Sequence, residues 1–289
     1  MADTIHATVR DNYGALARGR AGAENAGLSR IAAAFGYSPE DLATVPAEAN
    51  LGVSCGNPVA LASLQPGETV LDLGSGGGLD VFLAAERVGP QGRAIGIDMT
   101  ADMIALARAN AERRQSRNVE FIEAPIESMP LADASIDCVI SNCVLNLVPD
   151  KDAAYREILR VLKPGGRLAV SDIALTRPLP DAIRASVTAW VGCVAGALTV
   201  EENRAALERA GFTEIVIADA GVDLNVYKEA GQNARSEPAQ PASCCAGGDK
   251  PSGALHAEMA ETFRAIDINS YAASVQIFAL RPAPAGELL

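Results

Sequence analysis

Cysteines at 55, 143 and 193 each stand in a stretch that reads as a turn or a strand end. Cys55 lies in "NLGVSCGNP", beside Gly56 and before Pro58. Cys143 lies in "SNCVLNLVPDK", between Asn142 and Asn146 and just past an apolar run. Cys193 lies in "AWVGCVAGALT", flanked by Gly192 and Gly196. A cysteine in such a place is a small apolar filler, a redox thiol, a metal ligand or the group that holds a substrate. Cys138, inside "IDCVIS", fits the filler and is assigned to the core. The other three occur together outside strand interiors, and that pattern points further. Soft sulfur donors select soft acceptors. Three thiolates around one trivalent centre leave its lone pair free, and trivalent arsenic fits that description. Structural zinc fits poorly, because there is no C-x-x-C and His6 and His256 are the only histidines.

A second constellation is "VLDLGSGGGLD" at 70–80, read as strand, glycine turn and helix. Glycines admit a ligand close to the backbone, and the helix start offers free N–H groups. The nicotinamide pattern G-x-G-x-x-G fails because Leu79 takes its last position. Asp72, just before the turn, suits a cationic ligand better than a pyrophosphate. Asp98 ends the following strand, where a carboxylate can hold both ribose hydroxyls. A ribose plus positive charge describes S-adenosylmethionine. The stretch resembles the class I methyltransferase motif. That resemblance implies Asp72, Gly74 and Gly76 around the methionine moiety and Asp98 on the ribose. It also implies Met99 against the adenine, with Ile126 and Glu127 near the adenine edge. Asn142, beside Cys143, is grouped with the cofactor residues.

These residues need a frame. Strands are expected at 69–74, 93–99, 119–124, 136–141 and 167–175, with helices at 79–89, 100–114 and 152–166 between them. Thr100 is expected to cap the second helix, and Pro164 with two glycines to stop the third. Such alternation implies an α/β fold with a doubly wound, mostly parallel, Rossmann-like sheet. Residues 1–50 are expected to form a helical segment or lid, 51–175 the cofactor-binding core, and 176–289 a smaller α+β substrate region. Helices are expected there at 180–190, 199–211 and in "LHAEMAETFRAI", and strands at 212–219 and 271–282. A Gly-, Ser-, Pro- and Ala-rich loop at about 230–254 is expected to be mobile. It carries Cys244 and Cys245, read either as incidental or as a metalloid capture arm.

Net charge is −12, which disfavours nucleic acid and anionic membranes as partners. No apolar run approaches the ~20 residues of a membrane span, and no secretory signal is visible. A cytoplasmic monomer with reduced thiols is the expectation.

Taken together, "NLGVSCGNP", "DLGSGGGLDVFLAA", "SNCVLNLVPDK" and "GCVAGAL" resemble the arsenite S-adenosylmethionine methyltransferases. The similarity runs over roughly residues 45–227 and returns at "AIDINSYAASVQIFAL". It implies that Cys143 and Cys193 are arsenic ligands and that Cys55 is a third thiol, both ligand and redox partner. It implies a thiol reductant such as glutathione or thioredoxin, and it likens Tyr13-Gly14 to a segment covering the cofactor. Many members carry a further cysteine before the position of Cys55, and this chain has none. The competing expectations are methylation of an organic metabolite and metalloid binding without catalysis. "GVSCG" also matches a hydrolase elbow, but no strand precedes it and no helix follows it in the sequence pattern.

Overall fold

The computed structural model describes residues 2–19, 26–226, 254–264 and 266–283. The expected mobile loop up to residue 253, with Cys244 and Cys245, lies outside the described residues. In chain order the first elements are α1 Ala2–Arg18, α2 Ala26–Ala34, α3 Pro39–Thr44, α4 Pro58–Ala62, β1 Thr69–Leu73 and α5 Leu79–Val88. Then come β2 Arg93–Asp98, α6 Ala101–Arg114, β3 Val119–Glu123, β4 Ile136–Asn142, α7 Lys151–Val161 and β5 Leu162–Leu175. The last are α8 Asp181–Arg184, α9 Val187–Val191, α10 Val200–Ala210, β6 Thr213–Asp219, α11 Ala254–Thr262 and β7 Ala272–Leu280.

All seven strands form one sheet in the order β3-β2-β1-β4-β5-β7-β6. The first five are parallel; β7 pairs antiparallel with both β5 and β6. The strands of the C-terminal region are therefore continuous with the core sheet. Consecutive residues of β1 serve opposite faces, as the two-residue period of a strand requires. Leu71 and Leu73 pack with Tyr155 and Ile158 of α7 and Leu207 of α10. Val70 packs with Phe82 of α5 and Ile104 of α6. A third apolar cluster joins Leu16 of α1, Ile31 of α2 and Phe263, and it contains Cys55, Cys143 and Cys193.

Strand order reverses between β1 and β4. The chain leaves their carboxyl ends toward opposite faces, and a crevice opens there. The glycine turn follows β1 and Cys143 follows β4, so both motifs flank that crevice.

Three local expectations need correction. The helix expected over 152–166 ends at Val161, and Leu162 already begins β5. Proline at 164 clashes with a helical carbonyl four residues back and pushes Lys163 to extended backbone. The helix expected over 180–190 is two short pieces, because the Ser186 hydroxyl caps the second by accepting from the Ala189 N–H at 3.2 Å. Thr100 occupies the cap position of α6, but its side chain makes no capping bond.

Candidate active site

The crevice opens at the carboxyl ends of β1 and β4. Gly74, Gly76, Asp98, Met99, Ile126, Glu127, Asn142 and Cys143 line it. His6, Val9 and Tyr13 of α1 close it from above. Gly74 sits at φ 64°, and a Cβ there would collide with Val144. Only glycine allows the turn after β1 to pass so near the turn after β4.

Asp98 is fixed by two backbone donors. The Gly76 N–H donates to Oδ2 at 3.0 Å and the Thr100 N–H to Oδ1 at 2.9 Å. Asp98 also lines the cavity, and a carboxylate held by such donors can still accept from a ribose diol. Glu127 Oε1 lies 3.1 Å from His6 Nε2, so α1 is tied to the far wall.

Behind the glycine turn lies a buried acidic group. Tyr37 donates to Asp80 Oδ1 at 2.7 Å. The Asn142 amide nitrogen lies 2.7 Å from the Tyr37 hydroxyl, 2.9 Å from the Gly56 carbonyl and 3.2 Å from Asp80 Oδ2. Burial pushes Asp80 up to about 6, with the Tyr37 and Asn142 bonds opposing. Burial holds Asp72 well above the usual carboxylate range, and Asp80 and Asp98 raise it further. Asp98 is raised by burial too. None of the three forms an ion pair among the described residues, so a cationic ligand would meet an uncompensated field. Asp72 is buried and is not among the residues that line the cavity.

The thiols form the other half. Against the expectation of reduced thiols, Cys55 and Cys143 are joined as a disulfide with Cα atoms 5.5 Å apart, inside the usual range, because the fold brings the two turns together. The Cys193 thiol donates to the Cys143 carbonyl at 2.6 Å. Of the three, Cys143 alone lines the cavity; Cys55 and Cys193 stand behind it. Cys143 and Cys193 both adopt left-handed backbone, with φ of 58° and 63°. Asn146 ties their turns together. Its amide nitrogen lies 2.8 Å from Asp172 Oδ1, 2.7 Å from the Ile173 carbonyl and 3.1 Å from the Cys193 carbonyl. The Cys55 N–H donates to Asn142 Oδ1 at 2.9 Å, and Ser274 donates to the Cys55 carbonyl at 2.6 Å. Burial holds the Cys193 thiol well above its usual range; Asp172 adds to this, and Tyr13 and Lys151 oppose it. Cys138, by contrast, is fully buried inside β4.

Tyr37, Asp80 and Asp172 belong to this site without carrying a motif. Two of them left a trace in the sequence. Asp80 is an acid among apolar helix residues directly after the glycine turn, and Asp172 an acid within "RLAVSDIAL". A carboxylate in so apolar a run is costly unless something uses it.

A family model described as a methyltransferase domain matches residues 64–211. The chain belongs to that family, and its architecture is the class I S-adenosylmethionine-dependent methyltransferase fold. Among its relatives are arsenite methyltransferases of Halobacterium salinarum, 50% identical over 184 residues, and of Mus musculus, 34% identical over 233 residues. The first alignment covers 64% of this chain and 47% of the relative, the second 75% and 61%. The chain thus spans about half the length of the Halobacterium relative. A solved arsenic (III) S-adenosylmethionine methyltransferase from Chlamydomonas reinhardtii superposes with a TM-score of 0.58 at 28% identity, covering 88% of this chain and 74% of that one. The [4+2]-cyclase SpnF superposes with a TM-score of 0.62 at 24% identity, covering 78% of each chain. The fold alone therefore does not specify the reaction.

Proposed function

We propose that this chain transfers the methyl group of S-adenosylmethionine to trivalent arsenic held by Cys143 and Cys193. Cys55 serves as third ligand and redox partner, and an external thiol such as glutathione or thioredoxin supplies electrons. One observation carries the reading. Cys143 is at once a wall of the glycine-turn cavity, the disulfide partner of Cys55 and the hydrogen-bond partner of the Cys193 thiol. The relatives named for arsenite support the choice of acceptor.

In this reading Gly74, Gly76 and the backbone around them receive the methionine moiety. Asp72 and Asp80 lend negative potential to the ammonium and sulfonium. Asp98 takes the ribose, Met99, Ile126 and Glu127 the adenine, and α1 acts as the lid. Asn142 connects the two halves, since it braces both Asp80 and the Cys55 backbone.

The cycle balances with these groups. An external thiol pair reduces the Cys55–Cys143 disulfide and is itself oxidised. Each protein thiol then displaces a hydroxyl of arsenite, and the thiol proton leaves in the water formed. The arsenic lone pair attacks the methyl carbon, the carbon–sulfonium bond breaks, and S-adenosylhomocysteine departs. Arsenic is now pentavalent. The arsenic–sulfur bonds to Cys55 and Cys143 break as those two sulfurs form their disulfide again; the electron pair stays with arsenic, which returns to the trivalent state on Cys193, and water fills its open valence as hydroxide with loss of one proton. No proton leaves the nucleophile during methyl transfer, so no general base is required. Rate comes from holding two bound groups in line.

The test is incubation with S-adenosylmethionine, arsenite and glutathione, followed by arsenic speciation. Methylated arsenicals are the expected product. Their absence, with S-adenosylmethionine bound, would overturn the reading.

A further inference from the structure

We propose that the reduced protein holds a thiophilic divalent cation, of the zinc or cadmium kind, between Cys55, Cys143 and Asp172. The sulfurs of the two cysteines and a carboxylate oxygen of Asp172 lie within 4.8 Å of one another, and all three residues are buried. Metal–sulfur bonds of about 2.3 Å and metal–oxygen bonds of about 2.0–2.2 Å need donors roughly 3.5 Å apart, so the two sulfurs, joined in this structure, must part on reduction, while the carboxylate already lies within reach. The three donors come from the loop before α4, the turn after β4 and the body of β5, so only the folded chain assembles them.

Asp172 is held as a ligand would be. Its Oδ1 accepts from the Ile173 N–H and the Asn146 amide, both at 2.8 Å. Its Oδ2 receives the Asn146 N–H only at 3.3 Å, and the Leu145 backbone adds a further donor. Outer hydrogen bonds of this kind orient a coordinating carboxylate. The nearby ammonium of Lys151 is directed elsewhere, toward the carbonyls of Asn146 at 3.4 Å and Val148 at 3.1 Å. Asp172 therefore forms no ion pair among the described residues. The Cys193 thiol, against the Cys143 carbonyl, is the nearest further sulfur.

Redox state controls this site. The disulfide leaves no thiolate to bind. A reductant converts it to two thiols, each of which releases its proton to solvent as the cation binds. An ion there occupies Cys143, blocks return of the disulfide and competes with any other thiophile, arsenic included. The inference does not depend on methyl transfer, because it is tested without arsenic or S-adenosylmethionine.

The experiment uses the full chain with Cys244→Ser and Cys245→Ser, so that the vicinal pair adds no signal. Cadmium is titrated under anaerobic conditions and sulfur-to-cadmium absorbance is followed in the ultraviolet. One equivalent is expected to bind the reduced chain and none the disulfide form. Asp172→Ala should weaken cadmium binding at least about tenfold, with absorbance per bound cadmium unchanged because the sulfurs remain. Cadmium NMR of the otherwise unaltered reduced chain should show a mixed sulfur–oxygen donor set, which decides the matter if Asp172→Ala fails to fold. Equal cadmium affinity in the disulfide form, equal affinity in Asp172→Ala, or an all-sulfur NMR signature would each overturn the assignment.

Discussion

At Cys143 and Cys193 a β-carbon is carried on backbone that glycine usually occupies, with φ of 58° and 63°. Such positions cost roughly 1–3 kcal/mol and persist where the surroundings enforce them. Asn146 is the enforcing side chain here, since one amide spans Asp172, Ile173 and the Cys193 carbonyl. Asn146→Ala should lower methyl transfer by about 10- to 100-fold through misplaced sulfurs. Thiol titration of the denatured variant should still count every cysteine, and an unchanged rate would remove Asn146 from the device. Cys143→Ser and Cys193→Ser should each abolish methylation of both arsenite and trivalent methylarsenite, read by arsenic speciation. Cys55→Ser should separate the two substrates. Arsenite can take three sulfurs, but methylarsenite has spent one valence on carbon. With excess small thiol in single turnover, Cys55→Ser should damage the arsenite step far more than the methylarsenite step. Equal loss of both would refute the third-ligand role. The thiols were legible because their types and turn-like settings announce soft-donor chemistry. Asp172 and Asn146 were visible as residues but not in their roles, because what they do depends on a register between β4 and β5 that no short motif encodes.

The elements that carry the site were legible to differing degrees. Strand, glycine turn and helix are local signals, and β1 to β5 follow them closely. Strand β5 pairs with β4 on one side and, on the other, with β7, which lies roughly a hundred residues further along the chain, and such long-range pairing leaves no local mark. Helix α1 is amphipathic in a way the sequence does hold: Ile5, Val9, Tyr13 and Leu16 recur at helical spacing. Its partners come from distant segments. The Tyr13 hydroxyl donates to the Val191 carbonyl at 3.1 Å and stands beside the Cys193 sulfur, while Arg18 pairs with Asp102 on α6. One helix thus touches both the glycine-turn cavity and Cys193. Tyr13→Phe removes a bond worth about 1 kcal/mol, so S-adenosylmethionine should bind about fivefold more weakly by calorimetry. If affinity does not move, the α1 contact is not coupled to the cofactor.

Across the whole molecule, the buried acids set a dependence of stability on pH. Asp80 rises from the model-peptide value of 3.8 to about 6, and Asp172 from 3.8 to about 7, both through burial. Between the unfolded and folded values the folded chain holds protons that the unfolded chain has lost. Stability therefore falls as pH rises through that window, because the unfolded state binds fewer protons there. Two other acids act in the opposite sense. Burial pushes Glu68 up, but hydrogen bonds from Arg167 and Gln65 more than offset it, and Glu157 is lowered by Arg160. Their contribution is present above the ordinary value of 4.5 and is lost as pH falls through their folded values. Net charge of −12 adds self-repulsion at neutral pH. The melting temperature without ligands should accordingly decline from about pH 5 to about pH 8. Asp80→Asn should flatten part of that decline. A cationic cofactor beside Asp72, Asp80 and Asp98 should flatten it too, so the rise in Tm on adding S-adenosylmethionine should grow with pH. S-adenosylhomocysteine, which lacks the sulfonium charge, should show a weaker growth. Thermal melts at matched ionic strength, with each ligand and with none, measure all of this. A Tm gain from S-adenosylmethionine that is the same at both ends of the range would mean that the buried acids are not the groups the cofactor neutralises.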